Sequence, residues 1–495
     1  MLGLNGYNLT KNVHVYRQGD LNIAYDVNSG SLHLLSDSAF TVIKAMEGNE
    51  QLRDEISSYL SENVIIDGIG ALGKAELKEV LEELLALQSE GTLFSSEALE
   101  YFPGYPDIPI VKAICLHVAH DCNLRCRYCF AGTGSFGGKR TLMDLDTGKK
   151  AIDFVLSASA HRKQCEVDFF GGEPLLNFEV IKELVSYGKS AAAALGKKIK
   201  FTLTTNALLL NDTIQDYLEQ EDISVVLSLD GRQEINDNLR PDAGGRGSYQ
   251  RLVPNIQSFV KRRPQSSPYA VGTYYYVRGT YTHHNPDFYR DVLHIADLGI
   301  NQISVEPVVA APTEHYAFQE EDIPQIFESY DLLAEEILKR RQQSQGFNFF
   351  HFNIELNGGP CLPKRLSGCG AGHEYVAISP EGDIYPCHQF VGQEEFKLGS
   401  LLDAEKTEIN LKQELVHLFR TANIYAKQAC KECWARFFCS GGCHAANQAS
   451  TNKLTEVYSL GCTLQKKRLE VAIYLKIKEL MAGEAAASEN AQIRC

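Results

Sequence analysis

Three cysteines fall within eight residues, Cys122-Asn-Leu-Arg-Cys126-Arg-Tyr-Cys129, and this spacing restricts the fold more than any other feature. Thiolates this close together hold metal. Three of them can take three corners of a four-iron, four-sulfur cluster and leave the fourth iron open. A structural zinc site would close itself with a fourth ligand, for which His117 or His120 is at hand. Seven more cysteines lie from Cys369 to Cys462. Cys369 is followed by twelve residues, Gly382, four residues and Cys387. Cys430-x2-Cys433-x5-Cys439-x3-Cys443 comes next, with Cys462 after eighteen intervening residues. Of the 14 cysteines, Cys115, Cys165, Cys361 and Cys495 stand outside these groups. Cys115 and Cys165 sit in strand-like runs and read as small buried hydrophobes.

A disulfide framework is the other use of many cysteines, but it belongs to oxidising compartments. The start of the chain, MLGLNGYNLTKNVHVYRQGD, lacks the charged-then-apolar layout of a secretory signal, and no run reaches the ~18 apolar residues of a membrane span. A cytoplasmic protein is expected. With 495 residues there is room for about three domains. The net charge of −15 excludes nucleic acid as a partner, since phosphate neutralisation wants Lys and Arg. Residues 1–105 carry 6 basic and 16 acidic side chains, a net of −10, which suits either a cationic partner or a solvated acidic face.

Residues 12 to about 98 read as a small module. Leu21, Ile23, Tyr25 and Val27 alternate as a half-buried strand, Asn28-Ser29-Gly30 is a turn, and Leu32 and Leu34 resume the alternation. Ser36 is placed to cap a helix carrying Phe40 and Ile43, and Leu77, Val80, Leu81, Leu84, Leu85 and Leu87 mark a longer amphipathic helix. The module resembles a winged helix. FPGYPDIP (102–109) reads as a linker.

From Val111 to about Val309, VKAICLHV, CEVDFFG, IKFTLTTN, ISVVLSLDG, YAVGTYYYV and ISVEPVV alternate with helical patterns such as 178–194 and 285–298. Six β-α repeats imply a parallel sheet, hence an α/β fold with a partial (β/α)6 TIM-like barrel. Chemistry in such folds collects at the C-terminal strand ends. There stand Cys122, then Gly171-Gly172-Glu173-Pro174, Thr205-Asn206, and Ser228 with Asp230. The expected divisions are 1–105, a barrel over 106–320, a helical bridge over 321–357, a Cys-rich domain over 358–481 and a flexible tail over 482–495. The Cys-rich region looks poor in core, so metal would substitute for burial.

The Cys122–Cys129 motif after a first strand, followed by Gly-Gly-Glu-Pro after a second, resembles the radical S-adenosylmethionine (SAM) superfamily. The resemblance implies that SAM chelates the open iron and that reduction cleaves it to a 5′-deoxyadenosyl radical, the chemistry being the cofactor's. It also implies that Tyr128 packs on adenine, that Gly171, Gly172 and Glu173 line the methionyl amino group, and that Thr205, Asn206 and Ser228 border ribose or carboxylate. The second cysteine field is similar to the SPASM extension, which implies two auxiliary [4Fe-4S] clusters, three clusters in all. One would be held by Cys369, Cys387 and Cys443, the other by Cys430, Cys433, Cys439 and Cys462. Either Cys361 completes the first auxiliary set or its fourth iron is open to a substrate thiolate.

The strings CLHVAHDCNLRCRYCFA, EVDFFGGEPLLN, FTLTTNALL, VVLSLDGR, GGPCLPKRLSGCGAG, YPCHQFVG and CWARFFCSGGCHAAN together resemble the thioether-forming peptide maturases of the SCIFF (ranthipeptide) group. The resemblance implies a Cys-containing precursor peptide whose leader is gripped by the N-terminal module, as a strand added to an open sheet edge. It further implies an electron donor such as flavodoxin or ferredoxin. Hydrogen is removed from an acceptor carbon, a cysteine sulfur bonds there, and the surplus electron leaves through the auxiliary clusters. Sulfatase-maturing relatives carry an Asp base after the cysteine corresponding to Cys387. His388 stands there instead, either taking the proton or hydrogen-bonding beside the cluster. The competing readings are a carbon–carbon crosslink or epimerisation by the same chemistry, and a non-catalytic electron carrier or zinc scaffold.

Overall fold

The computed structural model describes residues 4, 6–47, 49, 51–53, 72–96, 109–263, 275–356, 362–403 and 411–492. Small N-terminal strands come first: β1 (Val13–Gln18), β2 (Leu21–Asp26) and β3 (Leu32–Leu34), paired antiparallel in that order. The central strands are β4 (Ala113–Ala119), β5 (Gln164–Gly171), β6 (Lys198–Thr205), β7 (Ser224–Ser228), β8 (Tyr275–Tyr281) and β9 (Gln302–Pro307), parallel and adjacent in chain order. Parallel neighbours require crossovers, and helices such as Leu145–Ala158, Phe178–Ala194, Asp212–Gln220 and Tyr289–Asp297 supply them. Their starts are written locally. Asp144 accepts the Thr147 N–H at 2.7 Å, and Asn211 the Ile214 N–H at 3.0 Å, each satisfying an orphan donor of a first turn.

The six strands expected are part of a sheet of ten. A two-residue β10 (Asn348–Phe349) joins β9, while β11 (Tyr375–Ile378) lies parallel to β4 and carries β12 (Asp383–Tyr385) and β13 (Gly399–Ser400) antiparallel beyond it. The Cys-rich region therefore covers an edge that β4 would otherwise expose. It also has more core than its loop-rich sequence suggested. Val376, Ile378, Ile384 and Leu398 enter the main core, and Phe390, Phe396 and Phe419 pack as a second cluster with Phe136.

Along β5, Cys165, Val167 and Phe169 are buried against the helices, while Glu166, Asp168 and Phe170 line an interior hollow. Strands of a parallel sheet covered on both faces ordinarily read as unbroken apolar runs. Polar residues at every second position, here and at Thr202, Thr204, Tyr276 and Arg278, mark an inner face built around a cavity.

β2 is not half-buried as its alternation implied. Ile23 and Tyr25 of β2 belong to the main core with Trp434 and the helix Ser459–Gln492, whereas Ala24, with Val13 and Val15, packs under the helices Asp37–Met46 and Lys74–Ser89. Ser36 does cap the first of those helices, accepting from Ala39 N–H at 3.1 Å. The expected flexible tail is helical as far as Gln492, in keeping with the high helix propensity of its Ala and Glu. Most of the linker 102–109 and the residues Cys361 and Cys495 lie outside the described residues. No helix among those described is long and apolar enough to cross a membrane.

Candidate active site and metal centres

The loop after β4 is held on both sides. Arg125 N–H donates to Pro241 O at 2.7 Å and Arg127 N–H to Leu239 O at 2.9 Å. On the other side Gly172 N–H reaches Ala119 O and Glu173 N–H reaches Asp121 O, both at 2.8 Å. A Cβ on Gly172 would stand 2.1 Å from Asp121 O, and one on Gly171 2.2 Å from Ala119 O. Only glycine permits this approach, which seats the cysteine loop against the end of β5.

Within the loop Cys122, Cys126 and Cys129 come together around the mouth of a cavity of about 450 Å³, a volume usual for a small-molecule site. Burial pushes the Cys122 thiol up to about 12, with Glu173, Cys126 and Cys129 adding to the shift, and pushes Cys126 up to about 11. Thiols so placed keep their protons at neutral pH unless a metal centre offsets the thiolate charge. The donor set therefore fits an iron–sulfur cluster. Among the described residues no three His, Cys, Asp or Glu side chains are set to hold a single metal ion. The histidines that might have closed a zinc site are turned to each other, His117 Nδ1 lying 3.2 Å from His120 Nε2. They pack with Phe136, and burial lowers His120 to about 4.

The residues expected to border a nucleoside gather at the same cavity: Tyr128, Gly171, Gly172, Thr205, Asn206 and Ser228 all line it. Several are also tied to protein partners. The Tyr128 hydroxyl donates to Asp230 at 2.7 Å and accepts from Arg240 Nη1 at 2.7 Å. Glu173 is buried, and both its oxygens are occupied: Oε1 accepts from the Thr205 hydroxyl at 2.7 Å and Leu175 N–H at 3.1 Å, Oε2 from Asn206 N–H at 2.8 Å. Glu173 thus brackets the ends of β5 and β6 together rather than presenting a free carboxylate. Desolvation holds it up to about 7. Asn206 Nδ2 donates to Asn123 Oδ1 at 2.7 Å and lies 3.7 Å from Cys122 Sγ.

The second cysteine field falls into two groups. Cys387 lies within electrostatic reach of Cys369 and Cys443, and burial raises its thiol strongly. Cys430 stands near Cys433, Cys439 and Cys462 and is pushed up to about 12 by burial. Beside the second group Lys427 is 1% exposed and donates to Gly441 O at 2.7 Å, a buried cation that offsets thiolate charge. His388 lies at the lower wall of the cavity, packed on Phe130 and Phe170, its Nδ1 3.4 Å from the Tyr375 hydroxyl. Burial lowers it to about 3, with Arg278 contributing.

The sequence reading passed over Arg240, Asp168, Tyr276, Arg278 and Tyr375, all of which line the cavity. The polar alternation in EVDFF and YYVRG was the signal available for three of them.

Two family models match the chain: a 4Fe-4S single cluster domain over residues 112–253 and the SPASM iron–sulfur cluster-binding domain over residues 369–434. An uncharacterized protein of Methanocaldococcus jannaschii is 31% identical over 206 residues, covering 41% of this chain and 65% of that protein; this chain thus spans just under two thirds of that relative. A cysteine-type anaerobic sulfatase-maturating enzyme of Clostridium novyi is 23% identical, over 65% of this chain and 85% of its own. Among solved structures, native anSMEcpe with bound AdoMet and Kp18Cys peptide superposes with a TM-score of 0.60 at 19% identity, over 74% of this chain and 98% of that one, which shows the shared fold. With its cysteine loop above a parallel-strand cavity and a matching Cys-rich extension, the chain carries a 4Fe-4S single cluster domain and a SPASM iron–sulfur cluster-binding domain, and is similar to the anaerobic sulfatase-maturating enzymes.

Proposed function

We propose that this protein is a peptide maturase that joins a cysteine sulfur to a carbon of a ribosomally made precursor. The observation that carries the reading is the single cavity shared by the Cys122–Cys129 loop, the β5 and β6 ends and His388 beside Cys387. A peptide reaching into it would meet the Cys122–Cys129 loop and the His388 wall beside Cys387 at once. Cys122, Cys126 and Cys129 would hold the SAM-binding cluster. Cys369, Cys387 and Cys443, with Cys361 or a substrate thiolate, would hold the first auxiliary cluster, and Cys430, Cys433, Cys439 and Cys462 the second. SAM held there would supply the hydrogen-abstracting chemistry. The peptide-bound structure of anSMEcpe is in keeping with a peptide substrate here.

The chain's own residues bind, orient and exclude water. Tyr128, fixed by Asp230 and Arg240, offers an aromatic wall for a nucleobase, and the Gly171-Gly172 backbone allows close approach of a methionyl group. Thr205, Asn206 and Ser228 would border its ribose or carboxylate. His388, neutral above about 3, suits a hydrogen-bonding place beside Cys387 better than a proton carrier at neutral pH. The acidic module of residues 1–105 suits a leader with basic residues, held as an added strand, and a flavodoxin or ferredoxin would serve as electron donor.

Anaerobic reconstitution followed by peptide mass spectrometry tests the reading. About twelve irons per chain are expected, with 5′-deoxyadenosine and a loss of two hydrogens from the peptide that alkylation of its cysteines abolishes. Crosslinking that survives alkylation would mean a carbon–carbon bond, and an unchanged mass would mean epimerisation. A colourless protein holding zinc alone would refute the whole reading.

A further inference from the structure

Asp168 of β5 is partly buried and lines the cavity, and its Oδ1 is shielded from solvent with no hydrogen-bond partner among the described residues. Shielding one carboxylate oxygen without a donor is costly, so Oδ1 is placed to take a hydrogen-bond donor from the lumen. In register its backbone lies beside Cys115 of β4 and Thr202 of β6. The groups facing it come from every packed element: Glu166 on β5, the Thr204 hydroxyl that donates to it from β6, Tyr276 and Arg278 from β8, Cys115 from β4 and Tyr375 from β11. Arg278 is the only cation in this set, and it is committed to an ion pair with Glu306. Tyr375 spans the gap toward the metal side, since it also feels Cys387 and lies beside His388. The carboxyl therefore looks into the lumen between the SAM-side loop and the Cys387 wall.

We propose that Asp168 is the base that takes the proton from the sulfur of the substrate cysteine as that residue enters the lumen. The inference rests on the thioether reading above and names the residue that reading lacked. Desolvation holds the carboxyl up to about 7, against the pull of Arg278 and Thr204, which matches a base working near neutral pH. In the proton step the S–H bond breaks, sulfur keeps the pair, and the proton passes to Oδ1. Over a whole turnover one C–H and one S–H bond break and one C–S bond forms. The hydrogen atom goes to the 5′-deoxyadenosyl group, the proton to Asp168, and the remaining electron to an auxiliary cluster. SAM is the oxidant, primed by one electron from the flavodoxin- or ferredoxin-type donor.

The test compares wild type, Asp168→Asn and Asp168→Glu in the reconstituted full chain. Wild type is expected to show a rising limb of crosslinking near pH 7. D168N should lose that limb, and crosslinks formed per 5′-deoxyadenosine should fall about a hundredfold or more; D168E should recover part of the coupling with the limb displaced. On metal-free protein, infrared titration should show carboxylic-acid bands that ionise near 7 from both Asp168 and Glu173, and the wild-type-minus-D168N difference should isolate the Asp168 band. D168N that couples as wild type does, with the same pH profile, overturns the assignment. So does a wild type with no such infrared band, even if both variants fail to fold. A wild type that cleaves SAM yet joins no sulfur to carbon refutes the thioether reading instead.

Discussion

At the scale of single residues, the site depends on positions where the backbone has no room to move. Gly172 approaches Asp121 O so closely that a methyl group meets backbone, not a flexible side chain. Gly172→Ala should therefore displace the cysteine loop and lower iron content by about a third, one four-iron cluster of three, as anaerobic iron analysis would reveal. Arg240 and Asp230 illustrate a different dependence. Asp230 is 0% exposed and the Arg240 guanidinium lies 3.7 Å away, joined to it through the Tyr128 hydroxyl. Arg240→Met leaves a buried carboxylate without its cation, which should cost about 3 kcal/mol in urea unfolding at neutral pH, and less in acid where Asp230 takes a proton.

At the scale of elements, β2 decides how the N-terminal module sits. Its two faces enter two different cores, so the strand is a shared wall, not the solvated face of a free-standing module. His14 stacks on Trp434 at 3.9 Å between ring centroids, and Arg436 reaches Lys11 O and Asn28 Oδ1, both at 3.0 Å. Because Arg436 follows Cys433 by three residues, the proposed leader-binding sheet and the second auxiliary cysteine group share a seam. Ile23→Ala should cost about 2–5 kcal/mol, and hydrogen exchange should speed up across β1 and β2 more than across β5 or β6. Equal acceleration in all four strands would show that the seam is not a separate unit.

At the scale of the whole molecule, buried titratable groups set the response to pH. Burial lowers His120 and His373 to about 4 and His388 and His444 to about 3, and His117 and His351 are lowered too. Unfolded, each would bind a proton near 6.5, so between about 4 and 6.5 the unfolded chain holds more of these protons and stability falls as pH falls. Asp168 and Glu173, both raised to about 7, act in the opposite sense, as do Asp230 and Asp291; with His284 lowered as well, seven histidines against four carboxyls leaves the histidines ahead. The metal-free protein should accordingly unfold at lower urea at pH 5 than at pH 7; a flat or inverted dependence would contradict this balance. The same contrast of local and long-range causes separates what could be read from the chain alone. Cysteine spacings, helix caps such as Ser36 and the β-α alternation were legible because each is a local pattern with a local physical cause. The division of the other seven cysteines into two ligand sets followed from a family resemblance; in the structure Cys387 lies near Cys369 and Cys443, and Cys430 near Cys433, Cys439 and Cys462. Tertiary structure alone decided that Glu173 spends its oxygens on the ends of two strands, that β11 joins the sheet beside β4, and that β2 is buried on both faces. It also decided that Asp168 Oδ1 is left without a partner at the cavity wall. Each of these depends on which distant segment fills the space opposite a residue, and packing, unlike spacing, is not written next to the residue it constrains.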